Sequence, residues 1–116
     1  TPAEMLSDGR AVMASGYNGR FFSAQQKEGA PLTIVWDGQV IGYEVWAILL
    51  SARNQDMAKR FLRFATAPEQ MASLAEFIPY GPARRSALSR VGLNRQTGVP
   101  MRDHLPNAPR HLRSLP

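Results

Sequence analysis

The sequence predicts an α/β fold with short, mostly parallel strands and helices. Residues 11–15, 33–36 and 43–50 are apolar or β-branched and have the length of strands. Stretches with helix caps or one-sided apolar spacing stand between and after them, and that alternation argues for a mostly parallel sheet. The chain has 116 residues, 44% hydrophobic and 20% charged, the balance of one small folded core.

Each element has a local reason. Thr1-Pro2-Ala3-Glu4 has the form of a capping box, so a helix should run to Leu6 and end at Gly9. Ala11 to Ser15 reads as a short buried strand, broken by Gly16-Tyr17-Asn18-Gly19. Phe21, Phe22, Ala24 and Gln25 suit a second helix, stopped by Gly29 and Pro31. Thr33 to Trp36 is β-branched and aromatic, a strand that turns at Asp37-Gly38. Tyr43 to Leu50 loses polar alternation after Glu44, which suits a strand covered on both faces. Asn54 can cap the next helix, whose Met57, Phe61 and Phe64 share a face. Thr66-Ala67-Pro68-Glu69 reads as a second capping box. Met71, Leu74, Ala75 and Ile78 form the buried face of the helix it opens, and Pro79 and Gly81-Pro82 end it.

Charge divides the chain unevenly. Residues 1–83 carry 7 basic and 8 acidic side chains, whereas residues 84–116 carry 7 arginines against Asp103 alone. With four prolines, that last segment is expected to be an extended, solvated tail with short helical turns. His104 and His111 are expected to be solvated within it, without a metal-ligand partner. The chain has no cysteine, which excludes disulfides and thiol chemistry. The longest apolar run is six residues, Val45 to Leu50, against the roughly 20 a membrane-spanning helix needs. Thr1 is not preceded by a basic and apolar leader, so a signal peptide is expected to be absent or removed. Phosphate-cradling and dinucleotide-type glycine loops are missing, and a Ser-His-Asp triad would have to recruit a tail histidine.

The residues left for function are carboxylates and aromatics. Asp37 is explained by its turn with Gly38. Glu44 opens an otherwise apolar strand, and so stands either at a strand end in water or at the mouth of a cleft. Among Tyr17, Trp36, Tyr43, Trp46 and Tyr80, Tyr17 and Tyr80 lie in Gly/Pro-flanked turns after apolar elements. Loop aromatics at such places suit a small-ligand pocket, above all for a cation.

The order of motifs carries a resemblance. Residues 9–20 (GRAVMASGYNGR), 34–38 (IVWDG), 52–61 (ARNQDMAKRF), 67–70 (APEQ) and 80–84 (YGPAR), with the closing segment 105–109 (LPNAP), resemble the C-terminal third of solute-binding proteins of ABC importers, closest to the spermidine/putrescine-type group. The resemblance implies the C-terminal part of a two-lobed, type II periplasmic-binding-protein fold. It implies that residues 1–36 belong to one lobe, 37–43 form the hinge crossing and 44–83 belong to the other lobe; 84–116 are the basic tail read from the charge. It also implies that Tyr17, Glu44 and Tyr80 line the ligand pocket; Asn18, Tyr43 and Trp36 complete the candidate ligand-binding set.

The function so implied is periplasmic capture of a small, polyamine-like cation and its delivery to the membrane permease subunits of an importer, with no covalent chemistry, metal or cofactor and no nucleic acid. Tyr17 stands where the group usually has Trp, as does Gly42, two residues before the acidic position. The chain also ends before the tryptophan-bearing last helix of the group and lacks most of the N-terminal lobe, so it reads as a fragment, and its unpaired strands are expected to favour self-association. The rival reading is a free-standing basic α/β module that binds nucleic acid or a protein through Arg84 to Arg113. A weaker rival is a hydrolase that pairs Asp37 with Glu44.

Overall fold

The structure is a computed structural model and describes residues 1–112. The chain begins with α1 (Pro2–Ser7), closed by the expected capping box: the Thr1 side chain accepts from the Glu4 N–H, and the Glu4 carboxylate accepts from the Thr1 amino group. Helix α2 is Asn18–Lys27, and it buries Phe21, Phe22 and Ala24. Helices α3 (Gln55–Ala65) and α4 (Pro68–Ala75) follow, then α5 (Arg85–Leu88), a 3₁₀ turn (Met101–His104) and α6 (Pro109–Leu112).

The described residues do not show the sheet expected from the sequence. Among the described residues the sole β pairing is an isolated antiparallel bridge between Leu93 and Pro100. Residues 11–15, 33–36 and 43–50 are irregular or extended, without ladder partners. A strand propensity becomes a strand only when a neighbour supplies the ladder, and no β pairing joins these segments among the described residues. The inward–outward alternation survives without the ladder: Leu32, Ile34 and Trp36 are half-buried, whereas Thr33 and Val35 are exposed. Residues 43–50 are not covered on both faces, for Val45 and Leu50 are 86% and 97% exposed.

Two helical expectations need correction in detail. Thr66 does not cap α4; its hydroxyl donates back to the Leu62 carbonyl at 2.7 Å and closes the end of α3 instead. The buried face of α4 is Ala72 and Ala75 with half-buried Met71, whereas Leu74 is exposed. Met57, Phe61 and Phe64 do share one face of α3, yet all three are exposed. Trp46 lies edge-on to Phe61 at 5.7 Å on that same surface.

The largest correction concerns the segment expected to be a solvated tail. Ala87, Val91, Met101, Leu105 and Ala108 are buried in one cluster with Phe22, Ala72 and Ala75. A second cluster gathers Ala3, Phe21 and Ala24, and Ile34 packs on both. Residues 92–101 form a tight loop rather than an extended strand. The Asn94 side chain accepts from the N–H groups of Gln96 and Thr97, and the Asn94 and Met101 N–H groups donate to Val99 and Gly92. Prolines and arginines on the outside conceal a regular supply of apolar residues on the inside. His111 is buried, its Nδ1 2.7 Å from the Leu105 carbonyl, and its ring stacks on Trp36 at 4.3 Å. Arg113, the last arginine of the expected basic tail, lies outside the described residues.

Half-buried His104 meets the Phe22 ring edge-on at 5.1 Å. Burial, with the neighbouring Arg110 charge, holds its pKa below the usual 6.5. The unfolded chain therefore takes up this proton first as pH falls, so the stability His104 contributes is complete above its unfolded value and is lost as pH drops through the folded one. Melting curves from about pH 7.5 down to about pH 5 should show a decline that His104→Gln reduces. An identical decline in the variant would remove His104 as its source.

Candidate functional site

A groove of about 310 Å³ lies between α2 and the turn that follows α4. Gly19, Arg20, Phe22, Ser23 and Lys27 line one side; Phe77, Ile78, Pro79 and Tyr80 line the other. Positions 20, 23 and 27 are spaced i, i+3 and i+7, so α2 directs all three polar side chains toward one face. No carboxylate lines the groove, and neither Arg20 nor Lys27 has an ion-pair partner among the described residues.

Two side chains make this junction. Asn18 Nδ2 donates to the Pro79 carbonyl at 2.6 Å, linking residues 61 apart in sequence. Gly19 gives the Tyr80 ring room, since a Cβ there would stand 3.1 Å from Tyr80 Cε1 and 3.3 Å from Ile78 Cγ1. The backbone of the turn is tight: the Tyr80 N–H donates to Ile78 O at 2.7 Å. Tyr17 is the N-cap residue of α2 and has no capping side-chain bond, and its ring is 76% exposed beside the start of the helix.

The expected site residues divide into two groups. Asn18 and Tyr80 come together at this junction, and Tyr17 precedes Asn18 in the chain with its ring exposed. Tyr43 and Glu44 lie on the exposed segment 43–50, where Glu44 has no hydrogen bond or ion pair among the described residues. Trp36 is held elsewhere, stacked on His111. Asp37 and Glu44 are both exposed, and Asp37 serves the turn closed by the Gln39 N–H and Trp36 O at 3.1 Å. Arg20, Lys27 and Asn107 were missed from the sequence. The signal for the first two was available: an Arg and a Lys on one face of a helix that begins just after the turn at Tyr17. Asn107 gave none, because its partner lies 25 residues away.

Three of the six described arginines of the last segment are committed to carboxylates. Arg90 pairs with Glu69 at 2.9 Å, Arg95 with Glu76 at 2.6 Å, and Arg110 with Asp103 at 3.6 Å. Carboxylates therefore already occupy part of the basic surface that the rival reading needed for phosphates. Among the described residues no group of three potential metal ligands is assembled, and no helix is long and apolar enough to cross a membrane.

The groove is walled by aromatic rings and cationic side chains from elements far apart in sequence. The chain belongs to the bacterial extracellular solute-binding protein family, whose model matches residues 1–100. It is 37% identical over 99 residues to the gamma-aminobutyric acid-binding protein of Pseudomonas aeruginosa, covering 85% of this chain and 28% of that protein. It is 31% identical over 81 residues to the spermidine/putrescine-binding periplasmic protein of Salmonella typhimurium, covering 68% and 23% of the two chains. The Escherichia coli protein of the same description is 29% identical over 111 residues, covering 91% and 32%. The chain thus spans about a quarter to a third of these relatives. No solved structure matches it at a significant level.

Proposed function

We propose that the protein is the solute-binding component of an ABC importer, that it works in the periplasm, and that its solute carries an ammonium group on a short methylene chain together with a carboxylate, as an ω-amino acid does. The observation that carries the choice of solute is Arg20 in the groove beside Tyr80, with Lys27 near and no carboxylate on the lining. A purely cationic solute there would meet like charge; a carboxylate would meet a guanidinium able to hold it bidentately. Glu44, unpaired on its segment, is the partner we assign to the ammonium, and Tyr17 and Tyr80 are the aromatic walls for the methylene chain.

In this reading residues 37–43 are the crossing between two lobes. α2 then precedes it in the chain and the Tyr80 turn follows it, and the groove between them, whose walls share the Phe22–Ala72–Ala75 core, is where we place the solute. A polyamine is the second reading, supported by unpaired Glu44 and by the spermidine/putrescine-binding relatives. Calorimetric titration of the full-length protein with GABA, putrescine and spermidine decides between them. Tight binding of GABA with weak binding of both polyamines is expected. The reverse order sinks the zwitterion reading, and binding of none of the three sinks the amine assignment.

A further inference from the structure

We propose that Asn18 and Asn107 are positioning residues that present Tyr80 to the groove, acting as two amide clamps on one turn. This rests on reading Tyr80 as a wall of the solute groove. The two carbonyls they hold bracket Tyr80 and Gly81: Asn18 Nδ2 donates to Pro79 O at 2.6 Å, and Asn107 Nδ2 donates to Pro82 O at 2.9 Å. Pro79 and Pro82 are both buried, so each bond forms away from bulk water, where an unmet carbonyl is costly. Tyr80 itself is 40% exposed, a ring presented at the surface by a turn whose flanks are fixed.

The clamps come from opposite ends of the chain. Asn18 belongs to the first turn of α2, and Asn107 lies between the 3₁₀ turn and α6. Glycine stands where each approach is closest. A Cβ on Gly19 would press on the Tyr80 ring, and a Cβ on Gly81 would collide with the Asn107 amide. The Asn107 Oδ1 is buried without a hydrogen-bond partner, so this side chain is kept at the turn by its single donor bond to Pro82 and by packing. The C-terminal segment is thereby part of the site: it supplies one of the two grips that set where the aromatic wall stands. Each asparagine NH2 has two hydrogens, and one of them is engaged by the backbone carbonyl of the turn.

A double-mutant cycle in the full-length protein tests the inference. Asn18→Ala and Asn107→Ala should each weaken solute binding about fivefold when Tyr80 is present, the effect of one lost neutral hydrogen bond, and less than about twofold in a Tyr80→Ala background. Asn18→Asp keeps the shape, removes the donor and sets a carboxylate against a carbonyl, so it should weaken binding more than Asn18→Ala does. Equal losses with and without Tyr80 would mean that the asparagines act on the solute or elsewhere, and no loss would mean that the turn needs no clamp. A second measurement needs no solute. With 3-fluorotyrosine incorporated and the Tyr80 resonance identified by Tyr80→Phe, both alanine variants should move that ¹⁹F signal toward the free-tyrosine position. If the wild type binds none of the three amines, the solute reading fails while a moved signal upholds the clamp; an unmoved signal overturns the clamp whatever binds.

Discussion

Glu44→Gln in the full-length protein is expected to abolish most of the affinity for any amine solute, and Arg20→Gln to do so only for one that also carries a carboxylate. Both substitutions remove a charge; Glu44→Gln keeps the shape, and Arg20→Gln keeps a shorter polar side chain. The group left facing the missing charge is then held in a closed cleft by a weaker partner. Removing one member of such a charge-assisted pair costs about 2–5 kcal/mol. That is roughly 30-fold to several thousand-fold in affinity. The two variants differ in sign toward a diamine: Arg20→Gln removes a like charge, so putrescine binding should stay or strengthen. Titrations of each variant with GABA and putrescine, with a melting curve of each, carry the test. Both side chains are exposed, so neither should lower the melting temperature appreciably. Full GABA affinity in Arg20→Gln would show that Arg20 is a solvated helix residue only. Full affinity in Glu44→Gln for every amine would reduce Glu44 to a surface charge on segment 43–50.

Leu105→Ala is expected to be the most damaging single change in the C-terminal segment. Leu105 is fully buried, among the largest side chains that are, and it packs in the cluster that holds Phe22, Met101 and Ala108. Truncating such a residue loses its transfer free energy and leaves a cavity, together about 2–5 kcal/mol. Arg102→Ala, three residues earlier and exposed, should cost less than about 0.5 kcal/mol. Urea unfolding of the two variants beside the wild type measures the contrast. Equal stability would mean that residues 101–108 are an appendage, as their composition suggests, and not part of the core.

That contrast marks where sequence reading reached its limit. Capping and periodicity act over three or four residues, so what they govern was legible. The capping box of α1 and the position of α2 around Phe21 and Phe22 follow from local chemistry, and the structure contains them; α3 does start after Asn54, but the Asn54 side chain makes no capping bond. The family was legible too, because five short motifs in one order constrain a chain more than any one of them.

What depended on distant partners was not legible. Residues 33–36 alternate as a strand does, but a ladder needs a neighbour, and local sequence does not say whether one lies alongside. The last 33 residues looked solvated because arginine and proline dominate their composition. Their small apolar side chains, Ala87, Val91 and Ala108, are buried because α2 and α4 offer a surface to receive them. The site divides along the same line. Sequence determined that aromatic turns at Tyr17 and Tyr80 and a lone carboxylate at Glu44 were the residues to watch. Tertiary structure alone decided that Asn18 reaches across 61 residues to the Tyr80 turn, that Asn107 grips the same turn from the other side, and that Arg20 faces it. Helix caps and turns are stabilised by bonds within one turn of chain and are therefore written locally. A groove is made by the meeting of segments whose separation in sequence carries no information about their distance in space.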